Sequence, residues 1–149
     1  MHQAVEQTQC DIFIGTAAVS DYRPAQPSKQ KQKKTLHGMP EITLIENPDI
    51  IASVANRTHN RPFVVGFAAE TEHLIPYAQA KLKQKNLDII IANNVSDNIF
   101  NAEDNQVTLI TANEQHSLAR QNKQQLAHHL LHYIFNQYKG QQHDPHTTT

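Results

Sequence analysis

Apolar runs of two lengths alternate along the chain. Ile12 to Ile14, Phe63 to Phe67 (FVVGF) and Leu87 to Ala92 (LDIIIA) are short and nearly continuous, the pattern of buried strands. Glu41 to Glu46 (EITLIE) alternates well enough for a further strand, and Val107 to Thr111 (VTLIT) reads as a terminal hairpin or edge strand. Between these lie helical stripes. Ile50, Ile51, Val54 and Ala55 share one face of a helix opened by Asn47-Pro48-Asp49, where Asn caps, Pro suits the first position and Asp complements the dipole. A second helix spans Leu74 to Lys85, with Pro76 in its first turn because Pro deeper inside costs about 3 kcal/mol. The last runs from Gln124 to Tyr138, with Leu126, Leu130, Ile134 and Tyr138 on one stripe, Leu131 and Phe135 beside it, and Gly140 as its stop. Met1 to Gln9 reads as two helical turns, too short to stand alone. Strands alternating with helices predict an α/β fold, three-layered, with a mainly parallel sheet.

In such sheets ligands bind outside the carboxyl ends of the strands. Three predicted strand ends carry small or polar residues: Gly15 to Ala18, followed by Ser20, Asp21, Tyr22 and Arg23; Gly66 to Glu70; and Asn93 to Ser96. After Pro24 and Pro27 comes Ser28 to Lys34 (SKQKQKK), basic and without a hydrophobic anchor. It is either a solvated charged loop or a flap that grips an anion. Lys81 and Lys85, four apart, share a helix face and carry the same two readings.

Composition narrows the classes. The 149 residues suffice for one ordinary core and give no reason for a second domain. A formal charge of -1 gives no electrostatic reason to expect nucleic acid or an anionic membrane as partner. One cysteine, Cys10, excludes an internal disulfide framework; no apolar run approaches the roughly 20 residues that span a bilayer, and the opening MHQAVEQTQ lacks the pattern of a signal peptide. A reducing cytoplasm fits best. The four glycines form no GxGxxG or GxxxxGK[ST] pattern, which disfavours an ordinary NAD or P-loop protein. His128 and His132 are spaced to share a metal, but no acidic or cysteine partner stands at metal-site spacing; Cys10 reads as a buried or idle thiol. What survives is Asp21, the flap lysines and the pair Lys81 and Lys85, a set suited to a nucleoside triphosphate with its magnesium.

AAVSDYRP, the KQKK flap, NPDI, VVGFAAET, the KxxxK helix, KNLDIIIANN and the closing amphipathic helix follow one another in an order and at a spacing that resemble bacterial phosphopantothenoylcysteine synthetase, over Met1 to about Tyr138. The resemblance implies a Rossmann-like fold and a CTP-dependent ligase of coenzyme A biosynthesis, joining 4'-phosphopantothenate to L-cysteine through an acyl-cytidylate. It implies that Gly15, Thr16 and Ala17 line the CTP pocket and that Asp21 contacts CTP or its Mg2+. Lys31 would be the flap lysine acting on the triphosphate and intermediate, helped by Lys33 and Lys34. Asn47, Pro48, Asp49, Ile50 and Phe67 would surround the cytidine, Lys81 and Lys85 would meet the phosphates, and Asn93 would touch substrate. A homodimer through residues 35–46, and fusion to a flavin-dependent phosphopantothenoylcysteine decarboxylase, are further family traits.

One departure stands out. The family's domain opens with a βα unit carrying a glycine-rich turn, and no counterpart precedes the first strand here. Residues 1–138 would then be the CTP-binding part of the domain, with 139–149 a disordered tail. Three readings follow: the ligase, a catalytically incomplete fragment that only binds nucleotide, and, more weakly, a dinucleotide-dependent oxidoreductase domain.

Overall fold

The structure, a computed structural model, describes residues 1–28, 30, 41–94 and 103–142. In chain order its elements are α1 (His2–Glu6), β1 (Ile12–Gly15), β2 (Tyr22–Pro24), β3 (Leu44–Glu46), α2 (Ile50–Ala55), β4 (Phe63–Glu70), α3 (Leu74–Gln84), β5 (Ile89–Asn94), β6 (Asp104–Asn105), β7 (Val107–Ile110), β8 (Gln115–Ser117), β9 (Gln121–Asn122) and α4 (Lys123–Gln142). They group into two compact units, Met1–Thr16 with Ile50–Thr149, and Ala17–Asp49. Chain length gave no reason to expect the second unit. It is small, and none of its described residues is buried, so backbone pairing and polar ties define it rather than a core.

The larger unit is built on a five-stranded sheet of order β1-β4-β5-β7-β8. Its first three strands are parallel, with Ile12 opposite Phe63 and Val65 opposite Ile89; β7 and β8 add an antiparallel hairpin, with Ile90 opposite Ile110. The α/β class, the three layers and the mainly parallel sheet with a closing hairpin at Val107–Ile110 match the sequence reading. Alternation along the strands serves two cores. Val64, Ala68, Ile90 and Ala92 pack with Val54 and Ala55 of α2 and Ala78 and Leu82 of α3. On the opposite face Phe63, Val65, Ile89, Ile91 and Leu109 pack under Leu126, Leu130 and Ile134 of α4. Two buried faces explain why the central strands read as unbroken apolar runs.

Several boundaries differ from expectation, each for a physical reason. Ile12 to Ile14 are half-buried, not buried, because β1 pairs only with β4 among the described residues. α2 begins at Ile50, so Asn47 does not open it as a cap; the Asn47 amide bonds within the smaller unit instead. β4 runs three residues past Phe67, since Ala68, Ala69 and Glu70 still find partners in Ala92, Asn93 and Asn94. The strand predicted over 41–46 shortens to β3 and pairs with β2, outside the central sheet. α4 continues through Gly140 to Gln142. An interior helical Gly costs about 1 kcal/mol, and side-chain bonds on the last turn, Gln142 to the Tyr138 hydroxyl and Gln141 to Asp88, favour the continuation. Leu131 and Phe135 are exposed rather than part of the buried stripe, and Cys10 is exposed rather than buried.

Candidate functional site

The carboxyl edge of the sheet is uneven. Gly15, the last residue of β1, pairs with Gly66, and β4 extends four residues further to Glu70. Side-chain ends crowd both paired positions, Ile51 of α2 at Gly15 and Leu87 with Ile51 at Gly66, so glycine packs best there. A Cβ on Gly15 would lie 2.9 Å from Ile51 Cδ1, and one on Gly66 would lie 2.8 Å from Leu87 Cδ1 and 3.2 Å from Ile51 Cδ1. Gly15 therefore has a packing role besides whatever it offers a ligand. Thr16 follows it, exposed.

Beyond Gly66 the strand changes character. Phe67 is 40% exposed in a strand otherwise mostly buried, and by alternation it shares the α4 face with Phe63 and Val65. Asn93, opposite Ala69 on β5, lies on that face too. Its Oδ1 is buried and has no hydrogen-bond partner, the one such side-chain atom among the described residues. Buried acceptors are nearly always satisfied, so this oxygen marks a place for a donor.

Glu70 and Lys81 form the charged feature of the edge. Lys81 Nζ donates to Glu70 Oε1 at 2.5 Å, with side chains 44% and 21% exposed respectively. Lys81 sits on the third turn of α3, and its side chain reaches back towards the helix start, the direction helical side chains favour. Lys85 is the C-cap of that helix, one turn further from the strand end. The sequence singled out both lysines but not the carboxylate that holds the first; only its place in GFAAET hinted at a role.

In the smaller unit β2 and β3 pair antiparallel, with Tyr22 opposite Glu46 and Pro24 opposite Leu44. Arg23 Nη1 donates to the Glu46 carbonyl at 2.9 Å and to Asn47 Oδ1 at 2.8 Å, while Asn47 Nδ2 donates to the Ser20 carbonyl at 2.7 Å. The Asn47 backbone N–H bonds the Asp21 carbonyl at 2.8 Å. These ties fix the backbone on both sides of Asp21 and leave its carboxylate exposed. Ala17, Pro48 and Asp49 are exposed, and Ile50, the first residue of α2, is half-buried. Lys31, Lys33 and Lys34 lie outside the described residues, as does the first half of the 35–46 arm.

Among the described residues no three His, Cys, Asp or Glu side chains group closely enough to hold a metal, and no helix is long and apolar enough to cross a membrane. His132 instead faces Asn136, 3.2 Å away. Burial, then a 2.6 Å hydrogen bond to Glu114 and the charge of that carboxylate, push the Tyr133 hydroxyl up to about 12. It fastens α4 to the β7–β8 turn and belongs to the scaffold.

The sequence model of the DNA/pantothenate metabolism flavoprotein C-terminal domain matches residues 1–138. The coenzyme A biosynthesis bifunctional protein CoaBC of Vibrio cholerae is 49% identical over 142 residues, 92% of this chain and 36% of that protein. A crystal structure of the C-terminal domain of a coenzyme A biosynthesis bifunctional protein CoaBC superposes with TM-score 0.64 at 29% identity, covering 89% of this chain and 56% of the other. A Cab2 mutant in complex with phosphopantothenate-cysteine has the same fold, with TM-score 0.63 at 17% identity, covering 88% of this chain and 46% of the other. The chain thus spans about a third of the bifunctional relative, and it belongs to the family of the DNA/pantothenate metabolism flavoprotein C-terminal domain.

Proposed function

We propose that this chain serves coenzyme A biosynthesis as the nucleotide-binding part of a CTP-dependent ligase joining 4'-phosphopantothenate to L-cysteine. The observation that carries the reading is Lys81, a cation held at the sheet's carboxyl edge in a chain 49% identical to a coenzyme A biosynthesis protein. The Cab2 mutant of the same fold is in complex with phosphopantothenate-cysteine, which agrees with the product of this reading.

In this reading a carboxylate oxygen of 4'-phosphopantothenate attacks the α-phosphorus of CTP, and the bond to the bridging oxygen breaks as pyrophosphate leaves. The amine of cysteine then attacks the activated acyl carbon, loses a proton and expels CMP, leaving an amide. Gly15, Thr16 and Ala17 bound the nucleotide pocket, and Phe67, with its exposed ring, and residues 47–50 surround the cytidine. Lys81 and Lys85 meet phosphate oxygens, and Lys31, with Lys33 and Lys34, neutralises charge as pyrophosphate departs. Asn93 Oδ1 accepts a hydrogen bond from substrate. Magnesium suits the residues present: Asp21 offers one exposed carboxylate, and Mg2+ commonly takes one or two carboxylates with the rest of its shell from phosphate and water. Bound there, the ion supplies charge neutralisation on the triphosphate. Exposed Ile42, Leu44 and Ile45 support a homodimer through the 35–46 arm.

The test is pyrophosphate release from CTP with 4'-phosphopantothenate, L-cysteine and magnesium, comparing the unmodified chain with Lys31→Ala. Release that requires both the pantothenate compound and Lys31 supports the ligase. No release with calorimetric CTP binding retained reduces the chain to a nucleotide-binding fragment, and loss of binding as well removes the site assignment.

A further inference from the structure

Lys81 is not a free cation. Its ammonium is already engaged by Glu70, the last residue of β4, whose side chain is only 21% exposed. Three features make the pair more than a surface ion pair. It joins the end of a core strand to a helix packed on that strand, so its geometry is set by the scaffold. It stands four residues beyond the Gly15–Gly66 pairing, where β4 overhangs β1. The lysine remains 44% exposed while the carboxylate is the better covered partner, so an incoming anion meets Lys81 first.

Resting on the triphosphate reading above, we propose that Glu70 is an internal counter-ion that competes with phosphate for Lys81. When a polyphosphate binds, the ammonium exchanges the Glu70 carboxylate for a phosphate oxygen, and when pyrophosphate departs the carboxylate takes the lysine back. Two anionic acceptors cannot share one ammonium without repelling each other across a few ångströms. The pair therefore lowers the affinity of every bound state carrying phosphate there, the departing product included. Binding that is equally strong before and after reaction does not accelerate turnover, so a built-in competitor favours release.

The experiment is calorimetric titration of the chain with CTP and, as control, cytidine, for the unmodified protein, Glu70→Gln, Lys81→Ala and the double variant. Glu70→Gln keeps the shape and an acceptor oxygen but removes the charge. It is expected to bind CTP about tenfold more tightly, equivalent to about 1.4 kcal/mol, with cytidine affinity unchanged. Lys81→Ala is expected to weaken CTP, and Glu70→Gln on that background to gain less than on the unmodified one. Unchanged or weaker CTP binding by a folded Glu70→Gln overturns the competitor role alone. CTP affinity untouched by Lys81→Ala removes Lys81 from the phosphate site and the proposal with it. No CTP binding by the unmodified chain overturns the functional reading itself.

Discussion

The two glycines at the sheet edge make a quantitative test of the packing, because one side chain, Ile51, presses on both. A methyl added at Gly15 meets Ile51 Cδ1 at 2.9 Å and then nothing closer than 3.5 Å. Overpacking of this kind costs about 1–3 kcal/mol, and the offending atom is the end of a side chain that can rotate, which places Gly15→Ala at the low end. Removing glycine also restricts the unfolded chain, worth about 0.4–1 kcal/mol in the opposite direction. The net expectation is a loss of about 0.5 kcal/mol, or about 1–2 °C in Tm for a chain of this size. Ile51→Val deletes Cδ1 and alone costs about 0.5–1.5 kcal/mol. Combined with Gly15→Ala it should cost less than the sum, by at least about 0.5 kcal/mol, because the cavity of one fills with the methyl of the other. Gly66→Ala behaves differently: its closest contact, 2.8 Å, is Leu87 Cδ1, so Ile51→Val relieves only the weaker of two clashes. Urea unfolding of the five variants gives both cycles. Additivity in the Gly15–Ile51 cycle, or a Gly66 cycle with the larger coupling, would refute the account.

Asp88 accepts from Arg61 Nη1 at 2.9 Å and from the Val64 backbone N–H at 2.6 Å while 11% exposed; Asp88→Ala leaves the Val64 N–H without its acceptor and the Arg61 charge without its carboxylate, though Arg61 keeps its carbonyl partners, and should cost about 2–3 kcal/mol by denaturant titration, Asp88→Asn less. The Tyr133 hydroxyl is neutral in both folded and unfolded chains below pH 10, and between 10 and about 12 only the unfolded chain ionises, so its stabilisation is complete below that window and lost through it. Tyr133→Phe should be less sensitive to pH over that range, read as the difference in Tm between the two proteins. Arg23→Ala should loosen the Asp21 backbone by removing the ties to Glu46 and Asn47, seen as faster amide exchange in residues 20–23 with the Ile90 and Ile91 amides unchanged.

Much of the fold was legible because the core strands are buried on both faces, and continuous runs such as FVVGF and LDIIIA have few other uses. α4 was legible through the spacing of Leu126, Leu130 and Ile134, which the structure buries together. What could not be read is what depends on two distant residues at once. Asn47 has the composition of a helix cap, yet its amide is taken by Arg23 and Ser20 across β2 and β3, partners that no local pattern announces. Arg61 sits in a polar run that reads as a helix stop, and the structure makes it a staple bonding Ala55, Pro62, Asn86 and Asp88. At the candidate site, Phe67 and Lys81 were identified from motif, whereas the Glu70 pairing needed the eleven-residue excursion through α3 to be folded. The smaller unit escaped because, without buried residues among those described, only the alternation over 41–46 showed, and a single short strand does not announce a separate unit.

That missed carboxylate changes the electrostatics assigned to the site. A lone lysine 4 Å from a phosphate oxygen contributes about 4 kcal/mol at an effective dielectric of 20. With Glu70 fixed 2.5 Å behind the ammonium, an approaching phosphate charge is repelled from about 6.5 Å by about 2.5 kcal/mol, leaving a net attraction of about 1.6 kcal/mol. Lys81 thus offers less than half of its apparent strength while paired, and the remainder only once the carboxylate is displaced. On the triphosphate reading, α3 alone then holds the phosphates only weakly, and Lys31, Lys33 and Lys34 are the further cations which that reading requires. On that same reading Lys81, carried by a helix packed on the sheet, stays in place as pyrophosphate departs, and Glu70 is the group that keeps it from retaining the product.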